Sequence, residues 1–154
     1  MIIKTDQLYL YQKKTVLVDG CFDPFHAGHI DYFKFAAGFG LPVFCNVEND
    51  KYINKYKKRP SLIPESQRII IVDSIKYISY THLQTSSTHD VLLKLKPLKY
   101  IKGADWKKKK LPDEEVTVCN MYGIKIEYTK KNLDSSSEII RNFINKMSSF
   151  KNFK

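Results

Sequence analysis

The amino-acid sequence predicts an α/β protein, a Rossmann-like doubly wound parallel sheet of about five strands in a single domain. Three observations predict it. Val16-Leu17-Val18 and Val43-Phe44-Cys45 are apolar without alternation, the pattern of strands covered on both faces. Longer segments carrying helix start and stop residues separate the strand candidates. No repeat or linker divides the 154 residues, a length that one domain accommodates, and Lys107–Lys110 is the one low-complexity tract.

Residues 15–20 read as the first strand. Residues 24–38 read as a helix, with Asp23 as N-cap, Pro24 at the first helical position and Gly38 as the stop. Residues 41–47 form a second strand. The polar, lysine-rich stretch 48–61 is expected to be partly helical and mobile. Pro64 opens a helix whose buried side draws on Ile69, Ile70, Val72, Ile75 and Ile78. A brief strand at 80–83 and a helix at 89–95 follow. Residues 98–102 are a buried strand ended by Gly103, residues 112–122 a helix ended by Gly123, and residues 124–128 the last strand. The final helix begins near Ser135 and shows Ile140, Phe143, Ile144 and Met147 at helical spacing, with residues 147–154 expected to fray.

Composition narrows the class. There are 26 Lys and Arg against 16 Asp and Glu, a formal net charge of +10, which suits an anionic partner. All but Arg59, Arg68 and Arg141 of these basic residues are lysine, whereas readers of nucleic acid favour arginine for bidentate contacts. The lysine excess accompanies many Ile and Asn residues and reads as compositional bias, so nucleic acid is not the expected partner. No run approaches the length of a membrane span, and Lys4, Asp6 and Lys13-Lys14 interrupt any secretory pattern. Cys21, Cys45 and Cys119 are odd in number and lack metal-ligand spacing, so a reducing cytoplasm is expected.

In doubly wound sheets the ligand sits beyond the carboxyl ends of the strands. The segment 20–29, the segment after Val47, the Gly103 turn and the Ser135 turn all follow strands, and so are expected to converge. His26 and His29 share a face of a first helix turn, where unpaired N–H groups and the helix dipole attract phosphate. Gly28 between them costs about 1 kcal/mol relative to alanine in a helix, which a nucleotide packed closely against the backbone would explain. Asp23 admits two readings, an N-cap or a ligand of Mg²⁺ directly or through water. Ser135 and Glu138 have capping-box spacing, and the same helix start could hold phosphate through Ser136 and Ser137. His82 and His89 have no companions at ligand spacing.

Gly20-Cys21-Phe22-Asp23-Pro24-Phe25-His26-Ala27-Gly28-His29 resembles the signature of the cytidylyltransferase-like nucleotidyltransferases. In that family both histidines contact the triphosphate and stabilise charge as pyrophosphate departs. Lys55–Pro60 followed by Pro64–Arg68 is similar to the lysine loop and Arg-Pro…Pro-x-x-x-Arg pattern of a narrower group, the heptose-phosphate adenylyltransferases and glycerol-phosphate cytidylyltransferases, with one extra residue between Arg59 and Arg68. Lys55 best matches the catalytic lysine, with Lys57 and Lys58 as rivals. Tyr100–Trp106 resembles the Lys-Gly-Gly-Asp-Tyr run of the heptose enzymes and the Gly-Asp-Asp-Trp run of the glycerol enzymes, a turn that lies against base and ribose. Ser135-Ser136-Ser137 parallels the Ser-Thr-Thr turn that closes the site. Residues 130–134 lack the arginine that precedes this turn in the glycerol and choline enzymes, and the heptose enzymes lack it too. Lys146-Met147-Ser148-Ser149 looks like half of a synthetase motif by coincidence. The resemblance spans about residues 14–146.

The resemblance implies transfer of a nucleotidyl group from an NTP, ATP favoured, to a sugar phosphate of the heptose 1-phosphate type, with pyrophosphate released and Mg²⁺ as cofactor. The alternative is a CTP-dependent enzyme acting on glycerol 3-phosphate or a related polyol phosphate. A basic nucleic-acid-binding or nucleotide-sensing module is the remaining reading. His26, His29, Lys55 and Arg68 are the expected catalytic set. Gly20, Cys21, Phe22, Asp23, Gly28, Gly103, Asp105, Trp106, Ser135, Ser136 and Ser137 are the expected further nucleotide contacts. A homodimer is expected by analogy.

Overall fold

The computed structural model describes residues 1–130 and 135–151. Its centre is one sheet of six parallel strands: β1 (Ile2–Ile3), β2 (Val16–Gly20), β3 (Val43–Val47), β4 (Tyr80–Leu83), β5 (Lys99–Lys102) and β6 (Lys125–Tyr128). The strand order is β1-β4-β3-β2-β5-β6. The helices are α1 (Ala27–Ala37), α2 (Asp50–Tyr52), α3 (Glu65–Asp73), α4 (Thr88–Leu95), α5 (Trp106–Lys109), α6 (Asp113–Tyr122) and α7 (Ser136–Lys151). A π-helical turn, Ile53–Lys57, continues α2, so the stretch after β3 is partly helical as its sequence suggests.

The expected doubly wound architecture is present, with six strands in place of five. The added strand is β1, too short to show any hydrophobic pattern. It pairs with Thr81 and His82 of β4, and the Met1 ammonium anchors it by donating to Asp73 Oδ1 at 2.6 Å.

Strand side chains alternate between faces and build two cores. Leu17, Phe44 and Tyr100 meet Val91, Leu92 and Leu95 of α4 and Val118 and Cys119 of α6. Val16, Val18, Val43, Cys45, Val47 and Ile101 meet Tyr32, Phe33 and Ala36 of α1 and Val72 of α3. From β2 the chain moves outward through β3 to β4, then crosses to β5 and β6 on the other side. The crevice of this sheet therefore opens above the carboxyl end of β2, where the winding reverses.

Several boundaries differ from the sequence reading. Helix α1 is capped by His26, whose backbone is extended (φ −149°, ψ 171°), and Asp23 and Pro24 lie before it, joined by a cis peptide. Gly38 ends α1 and Gly123, with φ +67°, ends α6, both as expected. Ile70 faces solvent at 59% exposure whereas Ile69 is at 8%, because α3 lays only its Ile69 and Val72 side on the sheet. Ile78 is buried, beyond the end of α3. Helix α7 runs unbroken through Lys151 where fraying from residue 147 was expected, and Phe143, Ile144 and Met147 on it are exposed. Among the described residues no helix is long and apolar enough to cross a membrane.

The neighbouring isoleucines of α3 test this packing. Ile69→Ala should cost about 2–4 kcal/mol in urea denaturation, and Ile70→Ala no more than about 0.5 kcal/mol. Equal losses would contradict the orientation of α3.

Candidate active site

The crevice above β2 is a cleft of about 390 Å³. Gly20 to Asp23, His26, Gly28 and His29 form its middle wall. The β5 side supplies Lys102, Gly103, Ala104, Asp105, Trp106 and Lys109, and the β3 side supplies Glu48, Tyr52, Lys57 and Arg59. Ser135, Ser136 and Ser137 at the start of α7 close it. Four segments that follow different strands thus converge, as parallel winding requires.

Local chain chemistry explains how the histidines are held. Phe22 adopts a left-handed backbone (φ +52°) that a non-glycine residue enters only at a cost of order 1 kcal/mol. Burial of its ring at 2% exposure offsets that cost, and the ring packs edge-on against His29 at 5.0 Å and against Phe33 at 5.2 Å. A Cβ at Gly20 would meet the same ring at 3.1 Å, so any larger residue there would have to displace the Phe22 ring by a few tenths of an ångström.

The two histidines cap α1 reciprocally. His26 Nδ1 accepts from the Gly28 N–H at 3.1 Å, and His29 Nδ1 accepts from the His26 N–H at 3.2 Å. Each ring is therefore the tautomer with its proton on Nε2. The rings stack with centroids 3.8 Å apart. Burial, reinforced by the adjacent His26, lowers the His29 pKa to about 3, so His29 enters the cleft neutral, and in each ring the Nδ1 that accepts leaves Nε2–H as the donor. Helix start, dipole and two imidazoles together form an anion site.

Asp23 is neither an N-cap nor a fit for a metal ligand. Its carboxylate is fully buried and accepts from Arg59 Nη1 at 2.6 Å, Leu62 N–H at 2.9 Å and Ile63 N–H at 2.8 Å. Arg59 Nη2 also donates to the Asp23 carbonyl at 2.7 Å. Those bonds strap the 59–63 loop to the histidine turn, and a cation there would displace Arg59. Among the described residues no cluster of three or more His, Cys, Asp or Glu side chains is arranged to hold a metal.

Arg68 and Lys55 also stand elsewhere than expected. Arg68 is 1% exposed and outside the cleft wall. It donates to the carbonyls of Ile63 at 2.9 Å, Cys21 at 2.6 Å and Glu48 at 2.7 Å, and to Asp50 Oδ1 at 2.8 Å. It holds the loops rather than a substrate. Lys55 is not among the cleft-lining residues and lies over the Tyr56 ring at 5.0 Å, while its rival Lys57 lines the wall. The π-helical turn rotates the three lysines so that spacing alone could not choose among them.

At the start of α7, Ser135 Oγ accepts from the Glu138 N–H at 3.1 Å and Ser136 Oγ donates to the Pro24 carbonyl at 2.9 Å, which ties this helix to the histidine turn. On the β5 side, Trp106 both lines the cleft and packs on the core, with Lys102 Nζ 4.4 Å above its ring. Asp105 pairs with Lys109 at 2.8 Å.

The sequence reading missed the floor. Lys102 Nζ donates to Asp19 Oδ1 at 2.8 Å, and Tyr100 Oη sits 2.9 Å from Asp19 Oδ2 and 3.0 Å from Glu115 Oε2. Burial alone would lower the Lys102 pKa, but the Asp19 carboxylate and then Glu115 raise it, so the ammonium persists. Burial and then Asp19 push Glu115 up to about 6 and Glu48 up to about 7. Cys21 donates to Glu48 Oε2 at 2.7 Å, and burial with that carboxylate pushes its thiol far up, away from nucleophilic use. The available signal was a charged residue ending each of two buried strands, Asp19 before Gly20 and Lys102 before Gly103.

Opposed titrations follow from these shifts. His29 and His82, held neutral down to about pH 3 and about pH 4 by burial, take up protons on unfolding below about pH 6.5, so stability falls as pH falls. Glu48 and Glu115, protonated up to about pH 7 and about pH 6, lose protons on unfolding above pH 4.5, so stability falls as pH rises. The melting temperature should be nearly flat between about pH 4.5 and 6, and Glu48→Gln should make it climb with pH across that window. A variant profile parallel to the wild type would refute the buried acid. Arg68→Met should cost about 3 kcal/mol in urea denaturation and Lys55→Ala about 0.5 kcal/mol or less. Weakened nucleotide binding by Arg68→Met at unchanged stability would return Arg68 to the substrate.

The profile of the family described as cytidylyltransferase-like matches residues 17–143, a span that contains both histidines, the floor and the start of α7. A curated protein of Geobacter metallireducens named "Bifunctional protein HldE" is 31% identical over 118 residues, covering 75% of this chain and 24% of that protein. One of the same name from Helicobacter pylori strain Shi470 is 31% identical over 108 residues, covering 68% and 23%. The chain thus spans about a quarter of the length of these relatives. Among solved structures, the lipopolysaccharide core biosynthesis protein of Thermoplasma volcanium superposes with a TM-score of 0.65 at 24% identity, over 76% of this chain and 96% of that one. A pantoate-beta-alanine ligase from Francisella tularensis superposes at 0.54 with 14% identity, over 88% of this chain and 71% of that one. These two similarities show the fold. With the histidine turn, the parallel winding and the profile match in agreement, the chain belongs to the cytidylyltransferase-like family of nucleotidyltransferases.

Proposed function

We propose that this protein transfers a nucleotidyl group from an NTP, with ATP favoured, to a sugar phosphate of the heptose 1-phosphate type, releasing pyrophosphate. The observation that carries the reading is the convergence of two helix starts, α1 with its paired neutral imidazoles and α7 with its three serines, on one cleft that also holds Lys57 and Lys102. Among the described residues of the cleft the one thiol, Cys21, is held protonated and is no activated nucleophile. Such a site suits a reaction in which the acceptor is already an anion.

An acceptor phosphate oxygen attacks the α-phosphorus in line, and the bond from that phosphorus to the bridging oxygen of the β-phosphate breaks. The electron pair leaves with pyrophosphate. No general base is needed, because the attacking oxygen is ionised at neutral pH. Catalysis is then positioning and charge stabilisation. His26 and His29 offer Nε2–H donors to the phosphates, with His29 assigned to the departing pyrophosphate. Lys57 takes the catalytic place expected of Lys55 and bridges the acceptor phosphate and the α-phosphate. The Gly103–Trp106 turn receives base and ribose. Mg²⁺ enters this reading as part of the nucleotide, bound to its phosphates, since Asp23 is occupied by Arg59.

The preference for ATP rests on the resemblance of Lys102-Gly103-Ala104-Asp105-Trp106 to the heptose enzymes and on the missing arginine in residues 130–134. CTP with glycerol 3-phosphate is the second reading, favoured by Trp106, which the glycerol enzymes share. Pyrophosphate release from ATP and CTP crossed with heptose 1-phosphate, hexose 1-phosphates and glycerol 3-phosphate tests both. The largest kcat/KM is expected for ATP with a sugar 1-phosphate, and no turnover with any pair would overturn the proposal. His29→Ala should lower kcat by about 10²–10³, the loss typical of removing one donor to a developing charge, when assayed at a temperature where circular dichroism is native, since loss of its cap to the His26 N–H costs about 1 kcal/mol. An unchanged rate would remove His29 from the chemistry.

A further inference from the structure

Resting on that reading, we propose that Glu48, with the Tyr52 phenol beside it, forms a hydroxyl-recognising subsite on the β3 side of the cleft and selects an acceptor whose phosphate is carried on an uncharged polyhydroxylated body.

On the β3 side of the cleft Lys57 is the group for phosphate, and Glu48 on the same side is not. Glu48 lines the cleft at the carboxyl end of β3, and a carboxylate there repels the polyanions that the rest of the cleft attracts. Lys102 bonds to Asp19 and not to Glu48, and with Lys57 it only partly offsets the burial and the Asp19 charge that push Glu48 up. The residue must face a part of a substrate that carries no negative charge. Topology says which substrate. The nucleotide is assigned to the β5 side, at Gly103–Trp106, and the triphosphate to the start of α1 above β2. The β3 side is what remains, and it lies across β2 from the nucleotide.

The donor set there is that of a binder of hydroxyl groups. Glu48 Oε2 accepts from the Cys21 thiol, while Oε1 has no hydrogen bond among the described residues. The Tyr52 hydroxyl lines the same cleft and is likewise without a hydrogen bond among the described residues. Burial and the nearby Glu48 push the Tyr52 phenol up, so it stays a donor at neutral pH. Because Glu48 itself titrates near 7, it can accept from one hydroxyl or donate to another.

The subsite is also rigidly placed. The Glu48 N–H donates to the Gly20 carbonyl at 2.9 Å and its own carbonyl accepts from Arg68 at 2.7 Å. Asn49 caps α2 through the Tyr52 N–H at 2.8 Å, and Tyr52 stacks on Tyr56 with centroids 4.4 Å apart. A preorganised acceptor and donor aimed at adjacent hydroxyls discriminate strongly against ligands that lack them, because their own polar atoms are then left unpaired.

Equilibrium binding to the full chain tests this independently of turnover. Mannose 1-phosphate, phosphocholine and inorganic phosphate are titrated into the wild type, Glu48→Gln and Tyr52→Phe, each in the presence of a non-hydrolysable ATP analogue. The wild type should bind mannose 1-phosphate at least tenfold more tightly than inorganic phosphate. Both variants should lose most of that difference, while affinity for the ATP analogue changes less than twofold and circular dichroism stays native. Retention of the full preference in both variants overturns the subsite. So does the absence of any preference in the wild type, or tighter binding of phosphocholine, whose cation would then be the group Glu48 recognises. Pyrophosphate release is read separately, so a chain that binds the sugar phosphate through Glu48 without turning it over refutes the reaction and keeps the subsite.

Discussion

The guanidinium of Arg68 has almost no access to solvent, yet its bonds reach four parts of the chain: the histidine turn at Cys21, the end of β3 at Glu48, the loop at Ile63 and the start of α2 at Asp50. Burying that cation is tolerable only because every contact is a carbonyl or carboxylate placed to receive it. Asp23 mirrors it as a buried anion that gathers Arg59 and the amides of Leu62 and Ile63. The two charges fix the segments that follow β2 and β3 to one another. The left-handed turn at Phe22, the reciprocal histidine cap and the position of Glu48 all depend on that attachment.

A divided electrostatic character follows. Above β2, helix starts and neutral imidazoles present N–H groups, and the lysines of either side add charge. Beneath and toward β3 lie Asp19, Glu48 and Glu115 with one ammonium, that of Lys102, among them. An anionic floor under an anion site would be self-defeating if all three acids were ionised. Burial raises Glu48 instead, so that it is only about half ionised at neutral pH, and Lys102 pairs with Asp19. The cleft can then hold phosphates on one side and uncharged polar groups on the other.

Relatives named "Bifunctional protein HldE" are about three times the length of this chain, so the matched segment is one part of them. Residues 17–143, the span of the family match, contain the cleft-lining residues described above. Among the described residues its walls come from one sheet and the segments that follow its strands.

Fold class was legible in the sequence because it depends on local signals: apolar strand runs, Gly38 and Gly123 as helix stops, and Pro64 and Pro112 just before α3 and α6. Strand β1 was not legible, since two residues carry no periodicity and pair only because β4 offers an edge. The histidine motif, the Gly103–Trp106 turn and the Ser135 helix start were also readable, as each follows a strand and parallel winding brings strand ends together. What sequence alone could not assign was the task of each charge. Asp23 resembles a cap, Arg68 a substrate ligand and Lys55 a catalytic lysine when only spacing is known. Their roles depend on which atoms lie across the fold: Arg59 against Asp23, three carbonyls around Arg68, and a π-helical turn that brings Lys57 to the cleft. Residue type and spacing determined that this chain builds an anion-binding crevice, and long-range hydrogen bonding decided which of its ions face that crevice and which hold it together.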